Sequence, residues 1–319
     1  MQINQATLSA LFKGYKTQFL ENYIAGKPLW PNIAMRTSSS AAEELYFWLG
    51  SISGMAEFTG KSIIDNLTAS KYSIANREFQ KIIAVKRADI ERDSYGLYNP
   101  RMQMLGAVAA KHPDLLVANL LINGFTQLDY TGTPFFSANK VQDPGGPTTL
   151  TNNGTDKLSP MSFQKARAAI KSVKNSNGIP TDIGDELQLV VAPALETVGK
   201  QILEADFIMQ TAQAAGANVG AAAISNVNKN AAKLVVWSQL AAAPAQWYIL
   251  ATGMPLKPLM VQEEKPVEFT SLVNLDDAHV FLQNEFLYKA YGRYNAGYGL
   301  PQLAWGSNGT TTPADYTGP

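Results

Sequence analysis

The chain has 319 residues, with 26 Lys and Arg against 26 Asp and Glu, two histidines and no cysteine. That inventory excludes a disulfide framework, a thiolate–zinc site and a cysteine nucleophile. The balanced charge argues against a dedicated nucleic-acid binder, which needs a basic face to displace counterions. Only 16% of residues are charged, against about 25% in an ordinary soluble domain, so either the protein is sparingly soluble or much of its surface is expected to lie against other subunits.

The elements follow in chain order. Ala6–Ile24 reads as an amphipathic helix, with Leu8, Leu11, Phe12, Tyr15, Phe19 and Tyr23 at helical spacing. Gly26, Pro28 and Pro31 break it. A terminal helix of this kind either folds back on its own domain or docks as an arm on a neighbour. Glu43–Leu49 reads as a helical turn or two, and Lys71–Asp93 as strands closed by the charged run Lys86–Asp93. Such a ribbon suits a surface that another molecule covers. Leu97–Gly124 is the strongest helical region, with a kink or break expected at His112-Pro113. Ser159-Pro160 starts a further helix, Ser as N-cap and Pro in the first turn. Leu187–Val191 is a continuous apolar strand, and Ala194–Asp206 a helix. Gln210–Lys233 reads as a helix end and a variable loop. Leu234–Trp237, Trp247–Ala251 and Val267–Thr270 read as strands, Val280–Tyr294 as the last strand, and the stretch from Ser307 as a mobile tail. The order is α+β, without regular βαβ alternation or internal repeat. The polar Met1–Gln5 does not resemble a signal peptide, and no apolar run of about 18 residues is visible, so no membrane span is expected.

Candidate chemistry is sparse. Gly54-Met-Ala-Glu-Phe-Thr-Gly60-Lys61-Ser62 approaches a phosphate-binding loop, but five residues separate its glycines where the cradle needs four. Asp89, Glu91 and Asp93 would share one face of a strand, a spacing open to a hard cation but better suited to salt bridges. Gly292, Gly297 and Gly299 lack the following helix of a dinucleotide fingerprint. Neither histidine has a serine or cysteine partner that can be placed. The sequence therefore predicts no catalytic residue, no cofactor and no metal: the chain is not expected to be an enzyme.

A series of stretches, in order, does carry a resemblance. They are Ala10-Leu-Phe-Lys-Gly-Tyr15 with Phe19; Thr59-Gly60-Lys61; Tyr72-Ser-Ile-Ala-Asn-Arg-Glu-Phe79; and Val85-Lys-Arg-Ala-Asp-Ile-Glu-Arg-Asp93. Further on come Tyr130-Thr-Gly-Thr-Pro-Phe-Phe136, Leu189-Val-Val-Ala-Pro-Ala-Leu-Glu196, Trp247-Tyr-Ile-Leu250, Lys257-Pro-Leu-Met-Val-Gln262 and Phe286–Tyr298. Together they resemble the major capsid proteins of Mu-like tailed bacteriophages, a branch of the Hong Kong 97-type capsid fold. Two positions depart from the family pattern: Asn139-Lys140 stands where a histidine is expected, and Lys61 where an acidic residue is expected.

The resemblance implies an N-terminal arm over 1–36 and an extended β-hairpin loop over 37–93. It implies a peripheral domain with a long spine helix over 94–180 and 273–306, an axial domain over 181–272, and a flexible tail over 307–319. It implies a shell of pentamers and hexamers around double-stranded DNA held non-specifically. Its partners are a separate scaffolding protein, a portal and decoration or cement proteins. Assembly takes place in the host bacterial cytoplasm, and the protein ends in the virion without membrane contact. Expected inter-subunit contacts are Leu8, Leu11, Phe12, Tyr15 and Phe19 of the arm, Lys61 near the loop tip, and Arg77, Glu78, Arg87, Asp89, Glu91 and Asp93 of the ribbon. A cargo-enclosing shell protein of the same fold and, far behind, a nucleotide-binding enzyme are the alternatives.

Overall fold

The computed structural model describes residues 5–46, 49, 72–92, 95–142, 149–174, 180–210, 213–214, 217–218, 222–275 and 277–313. Helix α1 (Gln5–Ala25) leads through Gly26–Leu29 into the single turn α2 (Trp30–Ile33) and strand β1 (Ala34–Ser38). Strands β2 (Glu43–Leu45) and β3 (Ser73–Ala75) pair antiparallel. The helical turn expected over Glu43–Leu49 is thus a strand for its first three residues, because it has the backbone of β3 to pair with. Strand β4 (Arg77–Lys86), the short helix α3 (Arg87–Glu91) and the 29-residue helix α4 (Tyr95–Asn123) follow. Pro100 and Pro113 both lie inside α4, which runs as one helix through the expected break. By length and apolarity α4 also qualifies as a membrane span over Tyr98–Asn123, correcting the sequence expectation. Its inward side chains Met102, Leu105, Val117, Ala118 and Leu121 are buried in the protein core.

The second half is built from short elements. Strands β5 (Lys140–Val141), β6 (Thr149–Leu150) and β7 (Asn153–Asp156) precede helix α5 (Pro160–Lys171). Ser159 caps α5 in the expected way, its hydroxyl accepting from the Ser162 N–H while the Ser162 hydroxyl accepts from the Ser159 N–H. Strand β8 (Leu187–Val191) and helix α6 (Glu196–Leu203) come next, joined by a 3₁₀ turn at Pro193–Leu195. The stretch expected to be a loop then forms two antiparallel pairs, β9 (Phe207–Gln210) with β12 (Ala222–Ser225), and β10 (Gln213–Ala214) with β11 (Ala217–Asn218). Strands β13 (Lys233–Val236), β14 (Trp247–Ala251) and β15 (Leu259–Leu272) follow, then helix α7 (Ala278–Gln283) and strands β16 (Glu285–Tyr298) and β17 (Ala304–Thr311). Val280–Gln283, expected to open the last strand, belongs to helix α7, which ends on Asn284 in the left-handed region (φ 52°). Asparagine tolerates that conformation, so the chain can stop the helix and start β16 at once.

Two sheets organise the molecule, one ordered β1-β15-β16-β4 and the other β13-β8-β14-β17-β7. In the second, β8 and β14 are buried at every position, which is why they read as apolar runs, broken only by Gln188 of β8. Side chains of β8, β14, α5 and α6 form one core. A second gathers α4, Phe135, Phe136, Trp237, Tyr248 and Tyr298. A third joins α1 and α4 to the far ends of β4, β15 and β16.

The pairings cut across the expected domain boundaries. Strand β15 pairs antiparallel with β16 from Leu259↔Tyr298 to Leu272↔Leu287, so a division at residue 272 would separate two neighbours in one sheet. Strand β17 runs through Thr311 and pairs with β14, and Ser307 is fully buried. The expected tail is therefore a sheet strand for its first five residues. Its Gly and Thr content hid a strand whose partners lie far away in sequence.

Candidate assembly surfaces

The arm is the first candidate. Helices α1 and α4 pack together, with the Gln103 amide donating to Gln18 Oε1 at 2.6 Å. A Cβ at Gly106 would lie 2.3 Å from the Phe19 carbonyl oxygen and 3.0 Å from the Tyr23 nitrogen, so only glycine allows this approach. Leu8, Leu11, Tyr15 and Phe19 are buried. Phe12 stacks on Phe269 at 5.7 Å, Phe19 stacks on the same ring at 4.9 Å, and Tyr15 meets Tyr288 edge-on at 5.1 Å. Of the two readings of the arm, the structure shows the helix folded on its own chain. Its apolar stripe lines the third core of the subunit, where β15 and β16 offer it an aromatic floor.

The charged ribbon divides. Arg77 and Glu78 are exposed on β4. The expected carboxylate face of a strand is not formed, since Arg87–Glu91 is a helix. Asp89 lies in its first turn, favourable for the dipole, and accepts from the Tyr98 hydroxyl at 2.6 Å. The Arg87 N–H donates to the Asn284 carbonyl at 2.9 Å, tying α3 to the start of β16. Lys61, Asp93, the Glu91 side chain and the near-phosphate-loop Gly54–Ser62 lie outside the described residues. Among the described residues no group of three His, Asp or Glu side chains is placed to hold a metal ion.

The rest of the surface is notable for apolar side chains in open positions. On α4, Met104 (66% exposed) and Val108 (62%) point outward one turn apart. Phe281 and Leu282 stand out from α7, and Phe207 and Val227 lie at the base of the β9–β12 pair. Two cavities, about 120 and 250 Å³, flank Tyr294 beneath α4, and both touch Val267. At the smaller, His112 Nδ1 lies 2.9 Å from the Tyr294 hydroxyl and its ring 4.4 Å from that of Phe79. Burial holds the His112 pKa below its ordinary value.

Two buried polar contacts hold the segments that flank α4, and neither was legible in the sequence. Lys140 and Asp129 form a fully buried ion pair. The Lys140 ammonium also donates to the Phe135 carbonyl at 3.0 Å. Desolvation lowers the lysine's pKa, against the pull of Asp129. The position where the family pattern departs at Lys140 is thus the anchor of the loop after α4. Asp114, on α4, accepts from the N–H groups of Leu29 (3.2 Å) and Trp30 (2.8 Å), fixing the start of α2. Its pKa is raised by desolvation, opposed by those two hydrogen bonds. No sequence signal pairs residues 85 positions apart.

An α+β chain with a long helix on a mixed sheet and many open apolar positions has the build of a shell subunit. Solved structures agree. The chain is similar to the procapsid protein of bacteriophage JBD30, with TM-score 0.60 and 27% identity, covering 96% of this chain and 76% of that one. A virus-like particle from Pyrococcus furiosus shares the fold, with TM-score 0.53 at 10% identity over 92% of this chain and 98% of that one. The α+β fold resembles the Hong Kong 97-like capsid fold.

The model of the family described as Mu-like prophage major head subunit gpT matches residues 8–160, 148–240 and 226–318, and the chain belongs to that family. It is 27% identical to the major capsid protein of Escherichia phage Mu, over 98% of this chain and 77% of that protein. It is 25% identical to the FluMu major head subunit of Haemophilus influenzae, over 96% of this chain and 74% of that protein. It is a self-assembling major capsid protein of an icosahedral phage head.

Proposed function

We propose that the chain assembles as pentamers and hexamers that close into a shell around double-stranded DNA. It acts as a structural protein and performs no catalysis. A separate scaffolding protein, a portal and decoration or cement proteins complete the head, which is put together in the host cytoplasm. The observation that carries this reading is the family match, which spans the chain in order from residue 8 to residue 318. The balance of 26 cationic and 26 anionic residues suits a shell that must hold packaged DNA without gripping it. Heterologous contacts that close into rings are the general route from one such subunit to a shell.

Electron microscopy of the chain co-expressed with its scaffolding protein tests the reading. Closed, uniform shells are expected. A species that stays monomeric in sedimentation at assembly concentrations, with scaffold present, would overturn it.

A further inference from the structure

Strand β4 is an edge of the four-stranded sheet, hydrogen-bonded among the described residues only to β16 along Arg77–Lys86. Its other side, among those same residues, presents an unpaired backbone over ten residues, the feature that natural proteins normally shorten or cover. Charges at Arg77, Glu78, Lys81 and Lys86 blunt it in part, but Ile82 sits exposed (44%) near its middle.

The charge order along this edge is self-complementary. A two-fold axis normal to the sheet keeps the helical layers of two copies on the same side. It then pairs only residues that share a face, so the axis must pass through a residue. Centred on Lys81, the pairing sets two ammonium groups against each other. Centred on Ile82, it sets Glu78 opposite Lys86 twice, Phe79 opposite Val85 twice, Gln80 opposite Ala84 twice and Lys81 opposite Ile83 twice, with Ile82 meeting its copy on the axis and no like charges opposed within β4. Opposite charges and an aromatic against a β-branched side chain are the favourable cross-strand pairs. Arg77 would face Arg87, but Arg87 has already left the strand for α3, outside the paired stretch. Glu78 is near enough to Tyr291 to raise the pKa of its hydroxyl, after the larger effect of desolvation; a carboxylate has several acceptor positions, which leaves room for a lysine.

We infer that β4 joins β4 of a second copy, antiparallel and in the Ile82-centred register, making one continuous sheet across a two-fold contact of the shell. This rests on the capsid reading, and closed shells contain such two-fold axes. Pairing satisfies the open backbone edge and uses the contact type in which one patch meets itself.

The absence of native cysteine makes the test clean. Directly opposed residues of an antiparallel pair have Cα atoms about 4.5–5.5 Å apart, within disulfide range. Full-length Ile82→Cys, oxidised mildly after assembly, is expected to give covalent dimers in high yield. Gln80→Cys and Ala84→Cys are each expected to stay monomeric alone, since like positions lie about 13 Å apart along the strands. Co-assembled, they should crosslink to each other. A Cys at exposed Ser9 on α1 serves as the control. Microscopy of the same samples reports separately on shell formation. Shells without Ile82→Cys dimers would overturn the inference and leave the capsid reading standing. Dimers no more frequent than at Ser9, or Gln80→Cys dimers forming alone, would overturn the inference as well.

Discussion

The packing of α1 on α4 can be tested with two glycines whose substitutions should have opposite signs. Gly14 on α1 is exposed, and a Cβ there would meet no atom within 4 Å. Gly14→Ala therefore collects only the helix-propensity gain, about 0.8–1.0 kcal/mol. Gly106 on α4 would collect the same gain, but its Cβ would stand 2.3 Å from the Phe19 carbonyl oxygen. Ordinary contact requires a displacement of about 1 Å, and the obstacle is backbone rather than the end of a flexible side chain. Overpacking of this kind costs about 1–3 kcal/mol, and against a backbone obstacle the upper half of that range applies, so Gly106→Ala should be net destabilising by up to roughly 2 kcal/mol after the propensity gain. Thermal melting of the unassembled subunit by circular dichroism reads both. Gly14→Ala should melt slightly above the parent and Gly106→Ala a few degrees below. Trypsin should also cut sooner after Lys13 and Lys16, which α1 exposes. If Gly106→Ala melts at or above the parent while Gly14→Ala behaves as expected, α1 does not lie on its own α4.

Three further outcomes follow from the buried polar contacts. Lys140→Met leaves the Asp129 carboxylate buried without its cation and should cost about 3–5 kcal/mol by urea midpoint; adding Asp129→Asn should recover part of that loss. Asp114→Ala removes the acceptor of the Leu29 and Trp30 N–H groups; a cap-sized loss of about 0.5–2 kcal/mol by urea midpoint, with faster amide hydrogen exchange at Leu29 and Trp30, is expected. His112 has a folded pKa below its ordinary value. Between the two values the unfolded chain binds more protons, so stability is full above the unfolded pKa and falls as pH drops through the folded one. His112→Gln should flatten that slope in melts taken from pH 7.5 to 5.

Local signals placed several elements correctly. The stripe Leu8–Phe19 marks α1, the Ser159-Pro160 cap marks the start of α5, and the apolar runs Leu187–Val191 and Trp247–Ala251 are β8 and β14 at the expected residues. What failed was pairing at a distance. Ala304–Thr311 becomes a strand only because β14 and β7 flank it, and Phe207–Gln210 only because Ala222–Ser225 folds back on it. The assembly surfaces were legible in part. The charged run Lys86–Asp93 was visible, but that the strand before it forms a sheet edge depends on β16, two hundred residues later. The fate of the arm was undecided for the same reason. Its stripe states that it must be covered, and only the position of Phe269 and Tyr288 states by what.

The low charge content has a related physical meaning. With α1 folded inward, the apolar side chains left in the open belong to several different elements: Met104 and Val108 on α4, Phe281 and Leu282 on α7, Phe207 before β12, and Ile82 on the β4 edge. A stable isolated dimer would concentrate such residues in one contiguous patch. Dispersed sites give each copy several weak contacts with different neighbours. No single contact then holds two subunits for long, which allows misplaced copies to leave. Once a ring closes, each further contact is made at high effective concentration and the whole becomes durable. Charges at every such site would have to find partners in each of several environments. A surface with few of them avoids that desolvation cost wherever it is covered.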